Sequence, residues 1–283
     1  MSGRLILVPL DGTPRARVAL PVARAFGKIM AAHLHMLHVS HDRPMPLAKL
    51  AGRLGLEASA LQGCSIAARM GEPSSTIIDE AQTRQARLIV MCAHTAAGRT
   101  DAILGHTALD VLRQAPCPVV LVPPGMGADA WRPKRILLPY DGSTASNVAV
   151  GPAARLACQA GVELIVVQIA TADPVFPVDR GTVIMPRYID QAQHEWPSWT
   201  GALFERLSGL CQDELHAKLR ILGGEPAREI ARMALPPDSL IVLAWKGEWI
   251  GERARTLKGV LRDATCPVLI VQAPKEHGFG SKL

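Results

Sequence analysis

Aromatic side chains are scarce in this chain of 283 residues, only 4% of which are Phe, Trp or Tyr. Cores built on stacked rings are thereby excluded, and burial must come from the plentiful Ala, Val, Leu and Ile. Long apolar runs are missing too. No stretch of 18 apolar residues occurs and no secretory h-region precedes the first strand-like run, so the sequence predicts a soluble, unsecreted, cytoplasmic protein with no membrane partner. Basic residues never gather in runs of five or six. Lys and Arg outnumber Asp and Glu by 31 to 25, a formal +6, but their scatter predicts no nucleic-acid partner. Six cysteines (Cys64, Cys92, Cys117, Cys158, Cys211 and Cys266) form no CxxC pair and mostly lie in apolar runs, which predicts reduced, buried thiols. Neither a Gly-x-Ser-x-Gly elbow nor a Walker A loop is present, which excludes two common catalytic designs.

The apolar run Ile6 to Leu10 stops at Asp11-Gly12-Thr13, and the same phrase returns 130 positions later as Ile136 to Tyr140 followed by Asp141-Gly142-Ser143. A buried parallel strand that turns abruptly into a helix reads this way. A carboxylate at that place faces the crevice where open α/β sheets bind ligands. Asp-Gly is also an ordinary turn, and Thr or Ser an ordinary N-cap. Three further landmarks recur in order. Gly71-Glu72-Pro73 returns as Gly224-Glu225-Pro226, Val111-Leu112-Arg113 as Val260-Leu261-Arg262, and the run at Cys117 to Val122 as Cys266 to Val271.

The chain is therefore a tandem repeat, expected to divide into residues 1–127 and 128–283 around a linker at Pro123 to Pro133. Each unit alternates strands with helices, which implies right-handed crossovers, a parallel sheet and helices on both faces. Strands are expected at Arg4 to Leu10, His33 to Val39, Cys64 to Met70, Leu88 to Cys92 and Cys117 to Val122. Helices are expected from Pro14, capped by Thr13, and from about Pro73 and His106. A longer connection, helical in part from Ala48, follows strand two. The counterpart connection, residues 170 to 212, carries Trp196 and Trp199.

These landmarks, with His38-Val39 closing strand two, resemble the universal stress protein family in its tandem form. The ending at residues 111 to 122 is the most specific of them. The resemblance implies two Rossmann-like units of the adenine-nucleotide alpha hydrolase type, each with a five-stranded parallel sheet. It also implies pairing through the fifth strands, so that the halves form an intramolecular pseudo-dimer that can itself associate as a homodimer.

The family has members that bind ATP, through Gly, two residues, Gly, nine residues, then Gly-Ser or Gly-Thr. Glycines let backbone N–H groups face phosphate, and the hydroxyl sits at a helix N-terminus. Counting back from Gly105 puts Cys92 and Thr95 at the two earlier glycines and His106 at the hydroxyl, with Thr107 one place on and Gly98 inside the loop. If ATP binds in the first repeat, the resemblance implies Asp11, Gly12 and Thr13 near ribose or metal, Val39 offering backbone to the base, and Gly105, His106 and Thr107 at phosphate. Asp141, Gly142, Ser143 and Ile169 are the counterparts. The second loop is shorter: Cys92 to Cys117 spans 25 positions and Ala244 to Cys266 spans 22. Two readings of it stand: Trp245 and Trp249 fill the cavity from within, or Lys246, Arg253 and Arg255 hold an anion there without glycines.

His33 and His35 share a strand face with His38 and His41 nearby, but no Cys or carboxylate has matching spacing, so histidines at a strand edge or against helices are expected rather than a metal site. The ending Ser281-Lys282-Leu283 matches a peroxisomal address, which three residues do by chance. No general base stands out beyond Asp11 and Asp141. The expectation is a non-catalytic stress-response protein acting through an unknown partner or small ligand. A slow ATPase and a ligand-free scaffold are the alternatives.

Overall fold

The computed structural model describes residues 4–41, 46, 49, 51–52, 63–93, 103–127, 130–170, 203, 205–207, 209–210, 215–234, 238–247, 249 and 252–273. Of the helix expected from Ala48, residues 49 and 51–52 are described and are helical; the loop positions Thr95 and Gly98, the Trp196 and Trp199 segment and the tail at Leu283 lie outside the described residues.

The first half runs β1 (Leu5–Pro9), a 3-10 turn (Pro14–Val18), α1 (Ala19–Met30), β2 (His33–Ser40), β3 (Cys64–Met70), α2 (Pro73–Thr83), β4 (Leu88–Cys92), α3 (His106–Gln114) and β5 (Val119–Val122). The second half repeats it as β6 (Arg135–Pro139), α4 (Thr144–Ala160), β7 (Glu163–Ala170), β8 (Ala217–Gly223), α5 (Pro226–Met233), β9 (Ser239–Trp245), α6 (Glu252–Asp263) and β10 (Val268–Gln272). The strands are apolar throughout because they are covered on both sides: Ile6, Leu7 and Val8 are all fully buried.

The expected five-stranded sheets do not stand apart. They join into one ten-stranded sheet ordered β3-β2-β1-β4-β5-β10-β9-β6-β7-β8. All neighbours are parallel except β5 and β10, which pair antiparallel with Val120 opposite Leu269. The fifth-strand pairing implied by the resemblance thus occurs within one chain, and it removes two sheet edges. An antiparallel join of like units places their strand ends at opposite ends of the molecule and leaves like helices on the same face. One core accordingly holds the sheet under α1 and α4, and the other holds it under α2, α3, α5 and α6. The linker also contributes to the first core. Trp131 is buried there and stacks on Phe26 with centroids 6.1 Å apart.

Gly-Glu-Pro is a capping device. Glu72 precedes α2 in extended conformation and accepts from the Ser74 and Ser75 amides at 3.0 and 2.8 Å, with Pro73 in the first turn. Glu225 repeats this with the Ala227 and Arg228 amides at 3.1 and 2.7 Å. Each carboxylate satisfies two of the amides a helix N-terminus leaves without partners.

The cysteine expectation is corrected at one position. Cys64, Cys92, Cys117 and Cys266 are free, but half-buried Cys158 in the last turn of α4 is disulfide-bonded, to a partner outside the described residues. Residue spacing along the chain carries no information about such a long-range approach. Among the described residues, no helix is long and apolar enough to cross a membrane.

Candidate functional site

The two Asp-Gly turns have the same local chemistry. Asp11 Oδ1 accepts from the Thr13 amide and hydroxyl, both at 2.8 Å, and Asp141 Oδ1 accepts from those of Ser143 at 3.0 and 2.5 Å. Gly12 and Gly142 sit between, at φ 80° and 77°, a conformation that side chains disfavour. Beyond this the repeats diverge. The Ser143 hydroxyl accepts from the Ser146 amide and so caps α4. Thr13 makes no such side-chain cap, contrary to expectation. Its carbonyl accepts from the Ala16 amide at 3.1 Å in a 3-10 turn instead.

His38 explains the strand-two landmark. Its ring is buried, and Nδ1 donates to the Leu10 carbonyl at 2.8 Å, while the Leu10 amide donates to the Leu37 carbonyl at 2.8 Å. The end of β2 is thereby tied to the residue preceding Asp11.

A cavity of about 290 Å³ opens between these strand ends and the helices of one face. Asp11, Val39, Gly105, His106 and Thr107 line it, as expected, whereas Gly12 and Thr13 do not. Those two residues are committed to building the turn. Gly105 is the N-cap of α3, and the first three helical residues, His106 to Ala108, form one wall. A helix N-terminus there presents amides and the positive end of the helix dipole. Sequence reasoning missed the apolar majority of the lining, including Pro73, Ile77 and Met91. The signal for Pro73 and Ile77 was available: both belong to the helix that the Gly-Glu-Pro motif starts.

A matching cavity of about 320 Å³ lies at the other end of the molecule. Asp141, Ser143 and Ile169 line it, while Gly142 does not. The reading in which two indoles fill this space is corrected. Trp245 is buried in the wall, and Trp249 packs edge-on against it at 6.2 Å, beneath the Lys258 ammonium 5.1 Å from its ring centre. The indoles meet edge to face, and Trp245 lines the cavity between the described residues rather than filling it. Lys246 lines it and Arg255 does not; the side chain of Arg253 lies outside the described residues. Here α6 contributes Ala254, Thr256 and Leu257.

The histidines are structural on the α2 side. His35 is buried, with Nδ1 at 2.8 Å from the Ser65 hydroxyl and Nε2 at 3.0 Å from Glu80 of α2. Glu80 also pairs with Arg69 at 3.3 Å and with Arg84. Burial, with the Arg84 charge, pushes the His35 pKa below its ordinary value against the pull of Glu80. Burial alone would raise that of Glu80, but the Arg84 hydrogen bond and the Arg69 charge outweigh it and hold the carboxyl low. Among the described residues, no cluster of three His, Cys, Asp or Glu is placed to hold a metal ion.

Known proteins resemble the chain along nearly its whole length. A sequence profile of the universal stress protein family matches twice, over residues 4–123 and 133–272. The Thermus aquaticus protein described as "universal stress protein in QAH/OAS sulfhydrylase 3′ region" is 29% identical over 134 residues, covering 42% of this chain and 98% of that one. Among solved structures, a functionally unknown protein from Pseudomonas aeruginosa PAO1 superposes with a TM-score of 0.65 at 22% identity, over 95% of this chain and 92% of that one. A universal stress protein from Archaeoglobus fulgidus DSM 4304 gives 0.60 at 17% identity, over 96% and 97%. At these identities the structural likeness speaks for the fold, and the family rests on the two profile matches. The chain belongs to the universal stress protein family.

Proposed function

We propose that the chain is a non-catalytic, cytoplasmic stress-response protein whose first-repeat cavity holds ATP or a closely related nucleotide. In this reading Asp11 lies by the ribose or its metal, Val39 offers backbone to the base, and Gly105, His106 and Thr107 meet phosphate. The supporting observation is the α3 N-terminus lining the same cavity as Asp11. A largely apolar floor suits a base, and a helix N-terminus suits an anion. Phosphate is assigned to the first repeat, where the N-cap Gly105 and the first helical residues of α3 line the cavity. Bound nucleotide would act by altering the surface offered to a protein partner. No step of hydrolysis is assigned, because Asp11 Oδ1 is occupied in its own turn and, among the described residues, no other base lines the cavity except His106.

Calorimetry with ATP and Mg²⁺ tests this, run beside an assay for phosphate release. Saturable heat that Asp11→Ala removes, with no nucleotide consumed, is the expected result. Absence of heat with the intact chain overturns the binding reading. Steady phosphate release that Asp11→Ala or His106→Ala abolishes overturns the non-catalytic one.

A further inference from the structure

A third cavity, about 550 Å³, lies away from both strand ends, between α1, the last turn of α4 and the linker. Three cations line it: Arg24 and Lys28 from α1 and Arg132 from the linker. Trp131, buried and held by its stack on Phe26, forms part of the wall, with the Gln159 amide nearby. Among the described residues, no carboxylate lines it. Among the described residues, Lys28 and Arg132 make no ion pair, although both side chains are exposed.

The surrounding sequence points the same way. From Pro14 to Met30 the chain carries Arg15, Arg17, Arg24 and Lys28 and no acidic residue; α4 carries Arg155 and none. The helices of the opposite face mix the signs, as at Arg113 with Asp110 and Arg232 with Glu229. Lys28 at the end of α1 also suits the helix dipole, but Arg132 lies on no helix and has no such role. Concave walls that gather several cations concentrate anions, and guanidinium groups bind phosphate oxygens in pairs.

We propose that this cavity is a second ligand site, for a small multiply charged anion of the phosphate class, held by Arg24, Lys28 and Arg132 over the Trp131 wall. The concave shape between two helices and a linker favours a small polyanion over an extended nucleic-acid strand. The site is separate from the strand-end cavity and does not depend on the nucleotide reading.

The test is calorimetry with two probes, inorganic tripolyphosphate and adenosine. Tripolyphosphate is expected to bind the intact chain, with affinity falling as salt rises. Lys28→Gln with Arg132→Gln should weaken it at least about tenfold, because two charge-assisted contacts are lost. The charge-conserving pair Lys28→Arg with Arg132→Lys should retain most of the affinity, and Asp11→Ala all of it. Both positions are exposed, and circular dichroism would check that each variant is folded. Absence of tripolyphosphate binding to the intact chain overturns the proposal. So does equal affinity in the Gln double variant, or displacement of tripolyphosphate by adenosine, which would place the anion at the strand ends.

Discussion

The buried His35–Glu80 network can be replaced by an apolar cluster that the second repeat already contains. Sheet register makes Ile165 the counterpart of His35 and Leu222 that of Arg69, since Val39 faces Arg69 and Ile169 faces Leu222. The two Gly-Glu-Pro caps align Glu80 with Met233. Ile165, Leu222 and Met233 all pack in the core on that face. In the first repeat, Glu80→Met alone would leave the His35 Nε2 buried without its acceptor, at 1% side-chain exposure. A buried polar group stripped of its partner costs roughly 1–3 kcal/mol. The two arginines are 45% and 39% exposed and would rehydrate, contributing about 0–1 kcal/mol each. The single variant should therefore lose about 2 kcal/mol net of the added apolar burial. The triple variant His35→Ile, Arg69→Leu, Glu80→Met should come back to within about 1 kcal/mol of the parent, because buried ion pairs are commonly matched by apolar groups of similar volume. Acid sharpens the contrast. With its pKa lowered, His35 stays neutral in the fold, while the unfolded chain protonates near 6.5, so stability is lost as pH falls below that value. Glu80, also lowered, loses its contribution as pH falls from 4.5 toward its folded value. Urea unfolding at neutral and mildly acidic pH would read both effects, with the triple variant less acid-sensitive than the parent. A single variant as stable as the parent, or a triple variant no better than the single, would refute the reasoning.

Further expectations come from other differences between the repeats. Ala31 ends α1 at φ 48° where Gly161 ends α4 at φ 63°, so Ala31→Gly should raise stability by about 0.5–1 kcal/mol and Gly161→Ala should lower it comparably, both read by denaturant midpoint. Glu72→Ala removes an N-cap and should cost about 1 kcal/mol. The Ser75 and Ser74 hydrogen bonds hold the Glu72 pKa at about 2, so this difference from the parent should be full above pH 4.5 and vanish as pH falls toward 2. Burial pushes the Cys117 and Cys266 thiols up to about 12, and neither should be alkylated by iodoacetamide in the folded chain at pH 8, with mass spectrometry of the digested protein as the check.

Periodicity carried most of the fold because central parallel strands are buried on both sides and read as continuous apolar runs. Leu88 to Cys92 and Cys64 to Met70 appear as strands over the expected residues. The residues at β5 and β10 showed strands but not their mutual pairing, which the family resemblance supplied. Thr13 and Ser143 occupy the same place in sequence yet differ as caps, because the chain after Thr13 enters a 3-10 turn at Pro14 and that after Ser143 an α-helix. Asp11 was legible as a cavity residue through the strand-end logic, whereas Val39 and Gly105 came with the family resemblance. The apolar floor was not, since Ile77 and Met91 read as ordinary core. Neither the pairing of His35 with Glu80, 45 positions apart, nor the burial of linker Trp131 leaves a local signature.

Crystals grown with ATP and Mg²⁺ would test the central claim most directly. The account predicts nucleotide density in the first-repeat cavity, with phosphates at the N-terminus of α3 between Gly105 and Thr107 and the base against Val39. Density for that cavity showing no nucleotide, while ATP occupies the second repeat, would contradict it.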